Sequence, residues 1–303
     1  PSWTLDPDLI LALFVAPVLL DAAYDTSLRE LRKNWLPVST LVVVAVAVTT
    51  CAVALAAHWL VPDMPWAAAI ALGAIVAPPD AAAAVAILRQ VNLPYRLLKI
   101  LEGESLLNDA TALLIYRIAV GAAAVEHFAW SRFAPSVALA LAGSLVAGYL
   151  AARLWLKITA RVTDAPTAII LQFAGTFTIW IAAERLGLSS ILTVVAYAVT
   201  TARTAPARTP ARLRVPSYAV WETAVFILNV LAFMLIGMQL RPIWLRLDDV
   251  VRLQYAEIAA CIVATVILAR ILWLAIYGGT LRILAAEGLF QPSRTLVVPT
   301  LKN

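Results

Sequence analysis

The chain has 303 residues, of which 63% are hydrophobic and 14% charged, with a mean hydropathy of +0.89 and a formal net charge of +5. Soluble domains carry about 45–50% apolar and about 25% charged residues, so one water-soluble core is excluded and part of the solvent must be lipid. Cys51 and Cys261 both lie in apolar runs and read as buried free thiols, which excludes a disulfide framework.

Apolar runs of membrane-spanning length follow one another at 8–26, 37–60, 66–89, 99–125, 134–156, 166–184, 188–202, 217–240 and 254–277. The expected fold class is an all-α polytopic membrane protein of about nine spans, forming one transmembrane domain over 1–303. Lys and Arg test this map. The segments after spans one, three, five, seven and nine hold 16 of the 23, and the opposite-side segments hold 5. That asymmetry predicts an odd number of crossings with the N-terminus outside. It also accounts for the net charge as a topology signal, so no nucleic-acid partner is expected. The chain opens on Pro1, shows no signal-peptide pattern and ends in a polar stretch, and it reads as part of a longer protein.

Ionisable residues inside the spans cost about 2.5–3.5 kcal/mol each at mid-bilayer, and depth decides which of them need a reason. Arg117 and Glu222 lie near span ends and can snorkel. Asp80 and Asp109 cannot. Span three runs inward to Arg89 and span four runs outward from Lys99, which puts both carboxylates about ten residues, or ~15 Å, from the inner surface. Two carboxylates at one mid-membrane level point to function.

In span three, Ala77-Pro78-Pro79-Asp80 should break the helix. The two prolines lack N–H groups and leave the carbonyls of Ala74 and Ile75 without their helical donors. Non-helical backbone at that depth survives only where it lines a cavity or is buried in protein, and such breaks mark binding sites in secondary transporters. A lone Pro17 in span one reads as a plain kink.

In span four, Ser105 and Asp109 are four residues apart, as are Glu104 and Asn108, so each pair shares a helix face. The set offers a carboxylate, a hydroxyl and an amide oxygen, hard ligands suited to a small alkali cation. One buried carboxylate holds a proton or a cation, not both, and that competition gives exchange. Glu104 lies ~8 Å and Arg270 ~12 Å from the inner surface, so a structural salt bridge between them is expected.

The run 73–123, with Ala77-Pro78-Pro79-Asp80, Glu102-Gly103-Glu104-Ser105-Leu106-Leu107-Asn108-Asp109 and Tyr116-Arg117, closely resembles the bacterial NhaP-type and animal NHE-type sodium/proton antiporters. The resemblance implies Asp109 as the cation- and proton-carrying carboxylate, Asp80 and Ser105 beside the Na⁺, and Asn108 stabilising the site. Ala269-Arg270 looks like the family's arginine-bearing span, pairing with Glu104. An Asn-Asp pair implies electroneutral exchange of one Na⁺, Li⁺ or K⁺ for one proton, serving sodium transport and pH homeostasis. The family fold has about thirteen spans in inverted repeats and forms homodimers in the plasma (bacterial inner) membrane. The nine spans here would then leave out the first two and last two, including the second broken helix. Cofactors are not expected; alkali cations and protons are cargo, and the lipid bilayer is the other partner. Two departures stand out. Pro79 replaces the threonine that often precedes the aspartate, and Asp21, a possible accessory ligand, replaces a glutamate.

The alternatives fit less well. A cation channel needs a filter motif, and none is present. An intramembrane aspartyl protease also uses two mid-membrane aspartates, but no Gly-x-Gly-Asp occurs. Another secondary transporter remains the nearest competitor.

Overall fold

A computed structural model describes residues 7–26, 28–79, 95–123 and 130–286, and every described segment of regular structure is helical. In chain order the helices are α1 (Pro7–Asp25), α2 (Leu28–Lys33), α3 (Trp35–Leu60), α4 (Trp66–Val76), α5 (Tyr95–Ala123), α6 (Trp130–Thr159), α7 (Ala165–Arg185), α8 (Ser190–Arg208), α9 (Ala211–Arg246) and α10 (Asp249–Ala286). Six of them, α3, α5, α6, α7, α9 and α10, are long and apolar enough to cross a bilayer, and α1 and α4 are shorter apolar helices. The chain is therefore a polytopic all-α membrane protein.

Proline number decides where these helices stop. α1 runs through Pro17, and α9 through Pro216 and Pro242. α4 ends at Val76, directly before Ala77-Pro78-Pro79, with the Ala77 amide donating to the Gly73 carbonyl at 3.0 Å. One proline removes one hydrogen bond and bends a helix; two in succession leave adjacent carbonyls without donors and end it. The expected break therefore falls where the sequence puts it, while Asp80 lies outside the described residues.

The chain divides into two compact units. The first takes Pro1–Ser39, Asp80–Ala110 and His127–Asp248; the second takes Thr40–Pro79, Thr111–Glu126 and Asp249–Asn303. In the first, α8 is the central helix, packed by α1, α6 and α7. Its Val194, Tyr197 and Ala198 are buried, as are Ser190, Thr193 and Thr201. The threonine hydroxyls at 193, 200, 201 and 204 each donate to the carbonyl four residues back, so a rather polar helix can be buried without orphaned donors. This helix falls on the expected short span at 188–202, but it is not among the described helices long and apolar enough to cross a bilayer. It extends to Arg208, beyond the expected end and past Pro206.

In the second unit, α3 carries a π-helical stretch at Thr40–Ala45 and packs against α4 and α10. His58 closes the α3–α4 turn, donating from Nδ1 to the Met64 carbonyl at 2.9 Å and stacking on Trp66 at 4.1 Å. Cys51 and Cys261 are free, but both are exposed, on α3 and α10, rather than buried. In a membrane protein an apolar run reports the lipid as well as the core, so hydropathy alone misassigned their burial. The faces of α9 and α10 are largely exposed and apolar, as a hydrocarbon solvent requires.

Gly73 makes the α3–α4 contact possible. A Cβ there would stand 2.5 Å from the Thr50 carbonyl oxygen and 3.1 Å from its Cα, both backbone atoms that cannot swing aside. Gly73→Ala gains about 0.5–1 kcal/mol of helix propensity but incurs about 1–3 kcal/mol of overpacking, so the clash wins. The thermal midpoint of the detergent-solubilised protein should fall by a few degrees; a rise would show that α3 and α4 do not approach this closely.

Candidate functional site

The site is built on α5. Its N-terminal end is tied to the α2–α3 junction, where Arg96 Nε donates to Asn34 Oδ1 at 2.9 Å and Asn34 Nδ2 donates to the Glu30 carbonyl at 3.0 Å. Asn34 is buried. One turn on, Lys99 Nζ donates to Glu102 Oε2 at 2.6 Å, an ion pair three residues apart on the helix. Glu102, the first acid of the motif, is thus engaged locally, within the first turns of α5.

Gly103 comes next, and its reason is close packing. A Cβ at this position would lie 2.9 Å from Leu31 Cδ1 and 3.2 Å from Val38 Cγ2, so the missing side chain lets α5 settle against α2 and the start of α3. The burial pattern of α5 follows directly. Glu104 is 4% exposed and Asn108 0%, with Leu106 buried between them, while Ser105 and Asp109 are half-buried. One helix therefore carries two polar faces. Glu104 and Asn108, four apart, point into protein. Ser105 and Asp109, also four apart, stay partly accessible.

Three residues beyond Asp109, Ala112 enters a small apolar cluster with Val46 of α3 and Ala77, the residue before the proline pair, and Ile115 packs against it. In the second unit the broken end of α4 therefore lies beside α5. Asp109 precedes Ala112 on the same helix by a rise of ~4.5 Å. Thr50 Oγ1, on the α3 face against α4, is buried and has no hydrogen-bond partner among the described residues.

Arg270 is half-buried on α10 in the second unit, while Glu104 belongs to the first. Asp21 sits elsewhere. It lines a cavity of about 140 Å³ with Tyr24, Gln172, Arg214, Ser217 and Trp221, and none of the described lining residues comes from α5. The structure brings Glu104, Ser105, Asn108 and Asp109 together on α5 and leaves Asp21 with α7 and α9. In that cavity Gln172 Oε1 accepts from both Ser217 Oγ at 2.6 Å and Trp221 Nε1 at 2.7 Å, and Phe173 stacks on Trp221 at 4.0 Å. Asn34, Gly103 and Gln172 are positioning residues absent from the sequence-based site. Gly103 carries a usable signal, a glycine between two acids in a helix; a single Asn or Gln among apolar residues carries none.

The family description "Sodium/hydrogen exchanger, transmembrane" matches residues 2–291. The "Sodium, potassium, lithium and rubidium/H(+) antiporter" of Bacillus pumilus (strain SAFR-032) is 34% identical over 244 residues, covering 78% of this chain and 36% of that protein. The protein of the same name in Bacillus subtilis (strain 168) is 32% identical over 246 residues, covering 78% and 37%. An uncharacterized Na⁺/H⁺ exchanger of Escherichia coli (strain K12) is 32% identical over 252 residues, covering 78% and 44%. The chain thus spans about two fifths of the length of these relatives. They are transporters rather than enzymes, and the apolar helices accord with a multi-pass protein of the plasma membrane. The chain belongs to the sodium/hydrogen exchanger family.

Proposed function

We propose that the chain is the ion-carrying part of an electroneutral antiporter that exchanges Na⁺, Li⁺ or K⁺ for H⁺, with Asp109 as the shared carboxylate. The observation that carries this reading is the arrangement on α5: Ser105 and Asp109 on a half-buried face, backed by the buried Glu104 and Asn108. A carboxylate partly withdrawn from water is costly as a bare charge and is relieved by a proton or by a cation. Ser105 supplies a hydroxyl oxygen one turn away. Asp80, which follows the Pro78-Pro79 pair in the sequence, is assigned as the second carboxylate. Because one carboxylate serves both cargoes, loading one requires release of the other, and each full cycle moves no net charge.

Glu104 and Arg270 are assigned to structure. Glu104 is too buried to trade its partner each cycle, and an arginine stays protonated and binds a carboxylate through two donors. Asp21 is assigned an accessory role, reached from its own cavity on the first unit. A homodimer is the assembly proposed, as in the antiporters the chain resembles.

In the full-length protein reconstituted in liposomes, Asp109→Asn should abolish proton movement driven by Na⁺, Li⁺ or K⁺, read with an internal pH dye. Parental exchange rates in that variant would sink the assignment. A membrane-potential dye in the same vesicles should stay silent during exchange; a potential that builds with cation flux would argue against one-for-one stoichiometry. Glu104 is buried, and disturbing the partners of a buried charged group is strongly destabilising, so in Glu104→Gln membrane yield and thermal midpoint should drop sharply. If yield held and only cation affinity changed, Glu104 would belong to the ion site.

A further inference from the structure

At the end of α1 the chain turns through Thr26 into α2, and this turn and α2 face the last turns of α8 across an open recess of about 870 Å³. Its polar wall carries Arg29, Arg32 and Lys33 from α2 and Arg203 from α8, all exposed; Trp35 and Val199 line its apolar side. No described lining residue is acidic. The neighbouring Glu30 accepts from Lys33 Nζ at 3.2 Å, and among the described residues no ion pair engages Arg29, Arg32 or Arg203. Four cations thus line one concavity, and none of its described lining residues is acidic.

The Lys and Arg asymmetry of the chain places this recess at the inner membrane surface, where the leaflet is anionic. Topology accounts for basic residues on that side. It does not account for cations from two separate segments, 170 residues apart in sequence, lining the same hollow with an aromatic on its rim. Guanidinium forks match phosphate oxygens in pairs. The volume exceeds what a bare phosphate fills and lies within the usual range for small-ligand sites. Trp35 is 64% exposed, as an aromatic at the headgroup level is.

We propose that this recess binds a phosphate-bearing anion, with the phosphate held by Arg29, Arg32 and Arg203 and the remainder of the ligand lying against Trp35 and Val199. An acidic phospholipid headgroup of the inner leaflet fits both walls, and free phosphate shares the same chemistry. The site is separate from the ion-carrying face of α5 and does not depend on the exchange reading.

The test uses native mass spectrometry of the full-length protein in mild detergent, titrated with phosphatidylglycerol, with phosphatidylcholine and with inorganic phosphate. Phosphatidylglycerol should bind in preference to phosphatidylcholine. Arg32→Gln and Arg203→Gln should each weaken it about fivefold, the change expected for one surface cation, and the Arg29→Gln/Arg32→Gln/Arg203→Gln variant by more than tenfold. Arg153→Gln/Lys157→Gln/Arg161→Gln removes three exposed cations from the same membrane face outside the recess, and it should change binding by less than twofold. Displacement of the lipid by millimolar inorganic phosphate, with the same dependence on Arg32 and Arg203, would identify free phosphate as the ligand. Equal losses in the recess and control variants would reduce the effect to general surface charge and overturn the site, as would unchanged binding in the single variants. Both single substitutions are at exposed positions, so they do not depend on the triple variant folding.

Discussion

Hydrocarbon offers no hydrogen bonds, so every backbone donor and acceptor at membrane depth must be satisfied within the protein or in a hydrated cavity. Pro78 and Pro79 break that rule at one point, since neither can donate to the turn before it. What surrounds them is organised accordingly. The Ala77 amide closes the last available helical bond onto the Gly73 carbonyl. Gly73 allows the α3 backbone to lie against α4 at a distance no other residue would permit. Ala77 itself packs with Val46 and Ala112, all small or branched, so the end of α4 lies in close apolar contact with α3 and α5.

The same constraint shapes α5. A helix satisfies its own backbone, and so it can carry polar side chains to depth, provided each finds an environment. Burial divides those side chains into two sets. Glu104 and Asn108 are enclosed, and Ser105 and Asp109 are left partly open. The helix is anchored near its N-terminal end by the Arg96–Asn34 bond and by the Gly103 contact with Leu31 and Val38, so the acid-bearing turn starts from a fixed point. In the first unit the inversion of an ordinary soluble core is plain. The central helix α8 is threonine-rich and buried, while the long faces of α9 are apolar and exposed.

Much of this was legible in the sequence, for identifiable reasons. Hydropathy located the long apolar helices, six of which are able to cross a bilayer among the described residues, because the bilayer imposes length, and the double proline located the end of α4 because proline chemistry is local. The spacing of Glu104, Ser105, Asn108 and Asp109 gave their shared faces because helical periodicity is fixed. Other features were not legible. Cys51 and Cys261 look buried in a hydropathy trace, yet lie on outer faces, since lipid and core are equally apolar. Asn34 and Gln172 carry positioning hydrogen bonds to partners 62 and 45 residues away, and no local pattern announces a long-range bond. Gly103 read as part of a motif, whereas the structure gives it a steric reason.

The central claim is that a proton and an alkali cation compete for one carboxylate. The measurement closest to it is the apparent Michaelis constant for Na⁺ in proteoliposomes of the full-length protein, taken across about two pH units on the acid side of the activity optimum. Competition predicts that this constant rises nearly tenfold for each unit of falling pH while the maximal rate at saturating Na⁺ stays level. A pH-independent constant with a falling maximal rate would mean that protons act somewhere other than the cation site, and would contradict the account.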